Sequence, residues 1–213
     1  IGSFECAHPM INQLQSNIVW GQRGNFLSVP TDCPQRDERL GWTGDAQVFV
    51  RTASFNAQTA SFFAKWMRDV TDAQHDSGAF TDIAPAPGLG GGTAAWGDAG
   101  VIVPWTVYLC YGDTRIIERS YPAMTRWIAY LQEHSDGLIR PAAGYGDWLS
   151  IDADTPKDVI STAYFAYSTA LVAKMARLLG KDDNAEKYEK LFAEIREAFN
   201  KRFVDADGRI HGD

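Results

Sequence analysis

Seven stretches of this chain repeat apolar residues at the spacing of a helix, and the links between them are alternately very short and about twenty residues long. Few folds accept that rhythm. The stretches are 9–22, 43–54, 57–73, 98–111, 114–133, 156–179 and 184–203, and no segment alternates with the period of a strand for long enough to compete. Pro9 suits a first helical turn, and the almost wholly apolar 98–111 should be buried on most sides and kinked by Pro104. Thr155 followed by Pro156 and Asp158 reads as a helix start with Thr155 as its cap, Gly180 closes the same helix, and Asp183 with Glu186 has the spacing of a capping box. The expectation is an all-α fold.

Helices two and three, four and five, and six and seven are joined tightly, whereas 23–42, 74–97 and 134–155 are long. Loops of that length in a compact domain are uncommon unless they serve a function. Consecutive antiparallel helices return the chain to one end, so all three long loops should gather on a single face. In or just after each stands a Gly-Asp pair, at 44–45, 97–98 and 146–147, with Trp42, Trp96 or Trp148 close by. This is a weak repeat of a helix-pair unit, of the kind that stacks into a toroid or a solenoid. The other indoles, Trp20, Trp66, Trp105 and Trp127, fall inside helices and are expected in the core.

Charge narrows the partners. Twenty Lys and Arg against 27 Asp and Glu leave a net charge of −7, so the average surface should repel nucleic acid and anionic bilayers. No apolar run has the length of a membrane span. Cys6, Cys33 and Cys110 are odd in number and widely spaced, which argues against a disulfide framework and favours a reducing, cytoplasmic setting over a periplasmic or secreted one. His8, His75, His134 and His211 have no second ligand at helical spacing, and no metal or cofactor is expected. The glycine-rich 87–93 lacks the Lys-Ser/Thr of a phosphate loop and reads as a flexible lid.

Asp32, Asp37, Glu38 and Asp45 lie close together, interleaved with Arg36 and Arg39 and broken by Pro34, Gly41 and Gly44. Paired carboxylates beside aromatic planes are what glycoside hydrolysis requires: one acid protonates the leaving oxygen while another carboxylate activates water. Indoles stack on the apolar face of a sugar ring. The same acids and arginines would also suffice merely to hold a long loop. Residue chemistry does not choose Glu38 over Asp37 or Asp45.

The stretch from Asp32 to Asp45, DCPQRDERLGWTGD, resembles the signature of bacterial α-L-rhamnosidases of glycoside hydrolase family 78, and Trp96-Gly97-Asp98 and Gly146-Asp147-Trp148 are similar to later motifs of that family. The resemblance runs the length of the chain. It implies an incomplete (α/α)6 barrel, about seven of twelve helices, with residues 1–213 as its N-terminal part and the remainder beyond the chain end. Closure would take on the order of 350 residues at about thirty per helix and loop. An open half-toroid should leave faces such as that of 98–111 unpartnered and expose a large apolar patch.

The resemblance also implies an inverting hydrolase acting on a terminal α-L-rhamnoside, with Glu38 as general acid. Asp32, Arg36, Trp42, Asp45, Trp96, Asp98, Asp147 and Trp148 would bind the sugar. The family's general base is a Glu downstream of the seventh helix, and Glu186, Glu189, Glu194 and Glu197 on a charged helix face are poor substitutes. The fragment alone should therefore be inactive. The implied partners are the carbohydrate and the rest of its own chain, with flanking β-sandwich domains. Another inverting (α/α)6 glycosidase and a non-catalytic carbohydrate-binding module are the competing readings.

Overall fold

The structure is a computed structural model that describes residues 2–88, 90–152 and 154–210. Leu89 in the glycine-rich segment and His211 lie outside the described residues. Seven helices are found among the described residues, with no strand: α1 (Pro9–Asn25), α2 (Thr43–Asn56), α3 (Ala60–Asp72), α4 (Ala99–Tyr111), α5 (Arg115–Glu133), α6 (Lys157–Leu178) and α7 (Asp182–Phe203).

Their burial sorts them into two layers. α4 packs against α2, α3, α5 and α6, and residues Ala99 to Pro104 are all buried, as an apolar sequence without a polar face requires. It runs through Pro104 as one helix. α3 and α5 are one-sided by contrast: Phe63, Trp66, Met67 and Val70, then Ile117, Met124, Trp127, Ile128 and Leu131, face inward at helical spacing while charged residues face out. Neighbours α2, α4 and α6 thus form an inner row, and α3 and α5 an outer one, with α7 packed on α6. Trp66, Trp127, Phe63, Phe80 and Phe165 are fully buried, and truncating any of them to Ala would cost about 3–5 kcal/mol.

Each inner helix is entered from a long loop, so three helix N-termini converge at one end. Helix ends depart from the expected caps. α6 begins at Lys157 with Pro156 in the capping position, because the Thr155 hydroxyl is used elsewhere, donating to Asp147 Oδ2 at 3.0 Å. No capping box forms at α7, which starts one residue before Asp183. Gly180 does close α6: at φ +67° it lets its own N–H reach Arg177 O and that of Lys181 reach Ala176 O.

On α4 only the C-terminal end, at Leu109 and Cys110, stands exposed, and the larger unpartnered apolar surface is elsewhere. It lies on α1 and α2, where Met10, Leu14, Trp20, Val48 and Phe55 are all exposed, and Trp20 is 65% accessible instead of core. Gln22 is the single buried residue of α1. It tethers the helix through amides: Gln22 Nε2 donates to Ala53 O, and Asn56 Nδ2 donates to Gln22 Oε1. Trp105 is half-buried against the core. No described helix is long and apolar enough to cross a membrane.

Candidate active site

The first long loop closes on itself, with Asp32 N donating to Leu40 O at 3.2 Å. Inside it the polar side chains form a row. Arg36 Nη2 donates to Asp32 Oδ2 at 3.1 Å and meets Glu38 Oε2 at 2.5 Å, and Trp42 Nε1 donates to Glu38 Oε1 at 2.5 Å. Arg39 adopts φ +49° and donates to Gly24 O, which anchors the loop to the end of α1. Trp42 then bridges Ile83, Ala84 N donates to Gly41 O, and Thr43 N donates to Asp82 O. The first loop is thereby zipped to the second.

Further along, Ala95 is held at φ +70°, a conformation that costs an alanine about 1–2 kcal/mol, while its N–H donates to Asp98 Oδ2 at 2.8 Å. This strained turn presents Trp96 to the first turn of α2, where Gly44 leaves room: a Cβ there would stand 2.6 Å from the indole. The third loop supplies Tyr145, whose ring lies 4.7 Å from Trp96 and 6.0 Å from both Trp42 and Trp148. One aromatic cluster therefore draws on all three loops.

Beside it opens a cleft of about 740 Å³. Of the residues expected to bind sugar, Asp32, Asp45, Trp96, Asp147 and Trp148 line it, with Gln47 and Tyr164 deeper in. Glu38, Arg36 and Trp42 are not on its wall. They join it through the Arg36–Asp32 bond and the ring contact of Trp42 with Tyr145. Trp148 is 64% exposed and Trp96 only 8%, so the indoles form a step from solvent into the interior. Partial desolvation at the cleft rim, together with the neighbouring Asp32 and Glu38 carboxylates, pushes the exposed Asp45 carboxyl above its ordinary value, although its own backbone N–H pulls the other way. Three helix N-termini directed at this end offset part of the clustered negative charge.

Asp98 does not face the cleft. It is 1% exposed, and Trp127 Nε1, Ser168 Oγ and Ala95 N all donate to it, so it is a buried hub of the core, away from the cleft where the other expected sugar-binding residues lie. The three Gly-Asp pairs are accordingly not equivalent. Asp45 sits in the first turn of α2, Asp98 just precedes α4, and Asp147 lies in a loop well ahead of α6. The glycine-rich segment is no lid on the cleft either; its described residues fold over Asp82 and border a smaller cavity with His75 and Tyr130. Cys33 is half-buried, and the Asp32 carboxylate beside it, by hydrogen bonding before burial, holds the thiol above its ordinary value. That disfavours a nucleophilic thiolate. Among the described residues no three metal-ligating side chains come together. The expected site residues included neither Asp82 nor Tyr145; Tyr145 opens the run Tyr-Gly-Asp-Trp at 145–148, while nothing local marks Asp82.

The whole chain, residues 1–213, matches the family described as the bacterial α-L-rhamnosidase six-hairpin glycosidase domain. The chain belongs to that family. It is 58% identical over 211 residues to an α-L-rhamnosidase of Streptomyces avermitilis, covering 99% of this chain and 20% of the relative, and 44% identical over 210 residues to one of Formosa agariphila, covering 95% and 23%. The crystal structure of the Streptomyces avermitilis α-L-rhamnosidase complexed with L-rhamnose superposes with a TM-score of 0.95 at 57% identity, over 98% of this chain and 20% of that one. The chain spans about a fifth of the length of these relatives. Its three tightly joined pairs, α2–α3, α4–α5 and α6–α7, are hairpins of the (α/α)6 architecture of the six-hairpin family, with α1 preceding them. Within the six-hairpin domain, the converging long loops bring acids, an arginine and edge-packed indoles to one end of the helices.

Proposed function

We propose that the full-length protein hydrolyses terminal α-L-rhamnosides with inversion, that residues 1–213 form the N-terminal part of its catalytic (α/α)6 barrel, and that Glu38 is the general acid. The observation that carries the reading is the row Asp32–Arg36–Glu38–Trp42 running into an aromatic, acidic cleft. Membership of the rhamnosidase family supports the sugar.

The geometry suggests how the acid would work. Oε1 of Glu38 is held by the indole N–H of Trp42, so Oε2 is the oxygen that would carry the proton to the glycosidic oxygen. Oε2 now meets Arg36, whose 54% exposed side chain would have to exchange this contact for a sugar hydroxyl. Asp32, nearly buried, and Asp45 at the rim would accept hydrogen bonds from hydroxyls, and Trp96 and Trp148 would flank the ring. Inversion needs a second carboxylate about 6.5–9.5 Å away, with room for water between. We assign that base to residues outside 1–213, since the acids of α7 lie on its exposed face and do not line the cleft.

The test is the full-length protein on aryl α-L-rhamnosides. Glu38→Gln should abolish turnover of substrates with poor leaving groups and largely spare rhamnose binding, and proton NMR should show the β anomer released first. Turnover unchanged in Glu38→Gln would remove Glu38 from the role, and α anomer as first product would overturn inversion. Rhamnose binding with no hydrolysis by the wild type would favour a binding module.

A further inference from the structure

Asp82 is 2% exposed, lies outside every motif discussed above, and does not line the cleft. Yet all three site loops meet on it. Its backbone carbonyl accepts from Thr43 N at 3.0 Å and Thr43 Oγ1 at 2.9 Å, which fixes the turn between Trp42 and α2. Its carboxylate Oδ2 accepts from Thr93 Oγ1 at 2.8 Å within its own loop and from the Tyr145 hydroxyl at 3.3 Å in the third. Thr93 extends the grip: its methyl lies where Gly144, at φ +85°, has no side chain, so the third loop rests directly on the residue Asp82 holds. Gly90 closes over the carboxylate from the other side, where a Cβ would stand 2.8 Å from Oδ2.

Tyr145 is the ring on which Trp42, Trp96 and Trp148 converge. Tyr145 is 36% exposed, and while the indoles pack around its ring, the hydroxyl contact with Asp82 tethers its polar end and ties the third loop to the second. We infer that Asp82 is a positioning residue for the sugar subsite: by holding the Tyr145 hydroxyl and Thr93 it sets the ring against which the three indoles are arranged, and so governs sugar affinity without touching the sugar. The inference rests on the proposed function for its sugar, but the loop ordering it asserts is measurable without any sugar.

The experiment uses the full-length protein with Asp82→Ala, Asp82→Asn and Tyr145→Phe. Two readouts are taken: KM and kcat on an aryl α-L-rhamnoside, and hydrogen exchange of the backbone amides over 141–150. Asp82→Ala should raise KM about tenfold with a smaller change in kcat, and Tyr145→Phe should shift KM in the same direction by several-fold. Asp82→Asn, which keeps an acceptor oxygen for the hydroxyl, should stay within about threefold of wild type. Exchange over 141–150 should quicken in Asp82→Ala and Tyr145→Phe and stay slow over α5. If Asp82→Ala does not fold, Tyr145→Phe decides alone. Wild-type KM and wild-type exchange in the folded variants would overturn the inference. Faster exchange in a protein that neither binds rhamnose nor hydrolyses rhamnosides would sink the proposed function and leave only the ordering of the third loop by Asp82 standing.

Discussion

Trp42 Nε1 donates to Glu38 Oε1 at 2.5 Å while the same indole stands edge-on to Tyr145, 6.0 Å between ring centres. The acid and the aromatic wall are joined through one side chain. Trp42→Phe keeps a ring and deletes the donor, so kcat/KM on an aryl α-L-rhamnoside should fall about tenfold or more, the range of a hydrogen bond to a charged group. Steady-state kinetics of the full-length variant decide it, and an unchanged kcat/KM would show the bond to be idle.

Gly44 has no space for a methyl beside Trp96. Gly44→Ala should therefore overpack the start of α2 at a cost of about 1–3 kcal/mol. Thermal unfolding should register about 2–4 °C for each of those kcal/mol in a unit of this size. The displaced indole should also weaken rhamnose binding, which titration calorimetry would read.

Asp98 collects three donors in the core, so Asp98→Ala strands all of them. The loss should be about 3–5 kcal/mol by urea unfolding, among the larger single-site effects in the chain. Serine at 168 replaced by Ala removes one donor and leaves the acceptor partnered, and should cost only about 1 kcal/mol. Equal losses from the two would argue that Asp98 is not the hub.

Burial raises the Asp82 carboxyl above its ordinary 3.8, against the opposing hydrogen bonds from Thr93 and Tyr145. A folded-state value above the unfolded one means that the fold prefers the protonated group. Its contribution is complete below the unfolded value and is lost as pH rises through the folded one. Urea midpoints should accordingly decline faster above pH 3.8 in the wild type than in Asp82→Asn, which has no proton to lose at that position. Parallel pH profiles would contradict this.

The helices were legible because periodicity reports the face a helix buries, and α3 and α5 bury the residues that their spacing selects. Trp20 misled for the same reason: an apolar stripe on α1 marks a face to be covered, yet none of the described helices covers it. The caps went astray at Thr155, whose hydroxyl has a competing partner in Asp147 that lies outside any local pattern. That Asp32, Asp45, Trp96, Asp147 and Trp148 would share one cleft was legible because each stands in, or just after, a loop of unusual length. Asp98 shares its dipeptide with Asp45 and still points into the core, since its direction is set by Trp127 and Ser168 far along the chain. Asp82 was invisible because its partners are 11 and 63 residues away and follow no fixed spacing.

Those separations bear on when the site comes into being as the chain folds. Gln47 meets Tyr164 across 117 residues, and Asp82 meets Tyr145 across 63, whereas each helix needs only its own turns to nucleate. Contacts of such span follow the local ones, because loop-closure entropy must be met before they reward it. During synthesis the Asp32–Arg36–Glu38–Trp42 row is therefore complete in sequence long before it has a wall to face, and the cleft arises only once the third long loop has left the ribosome and stacked against the second.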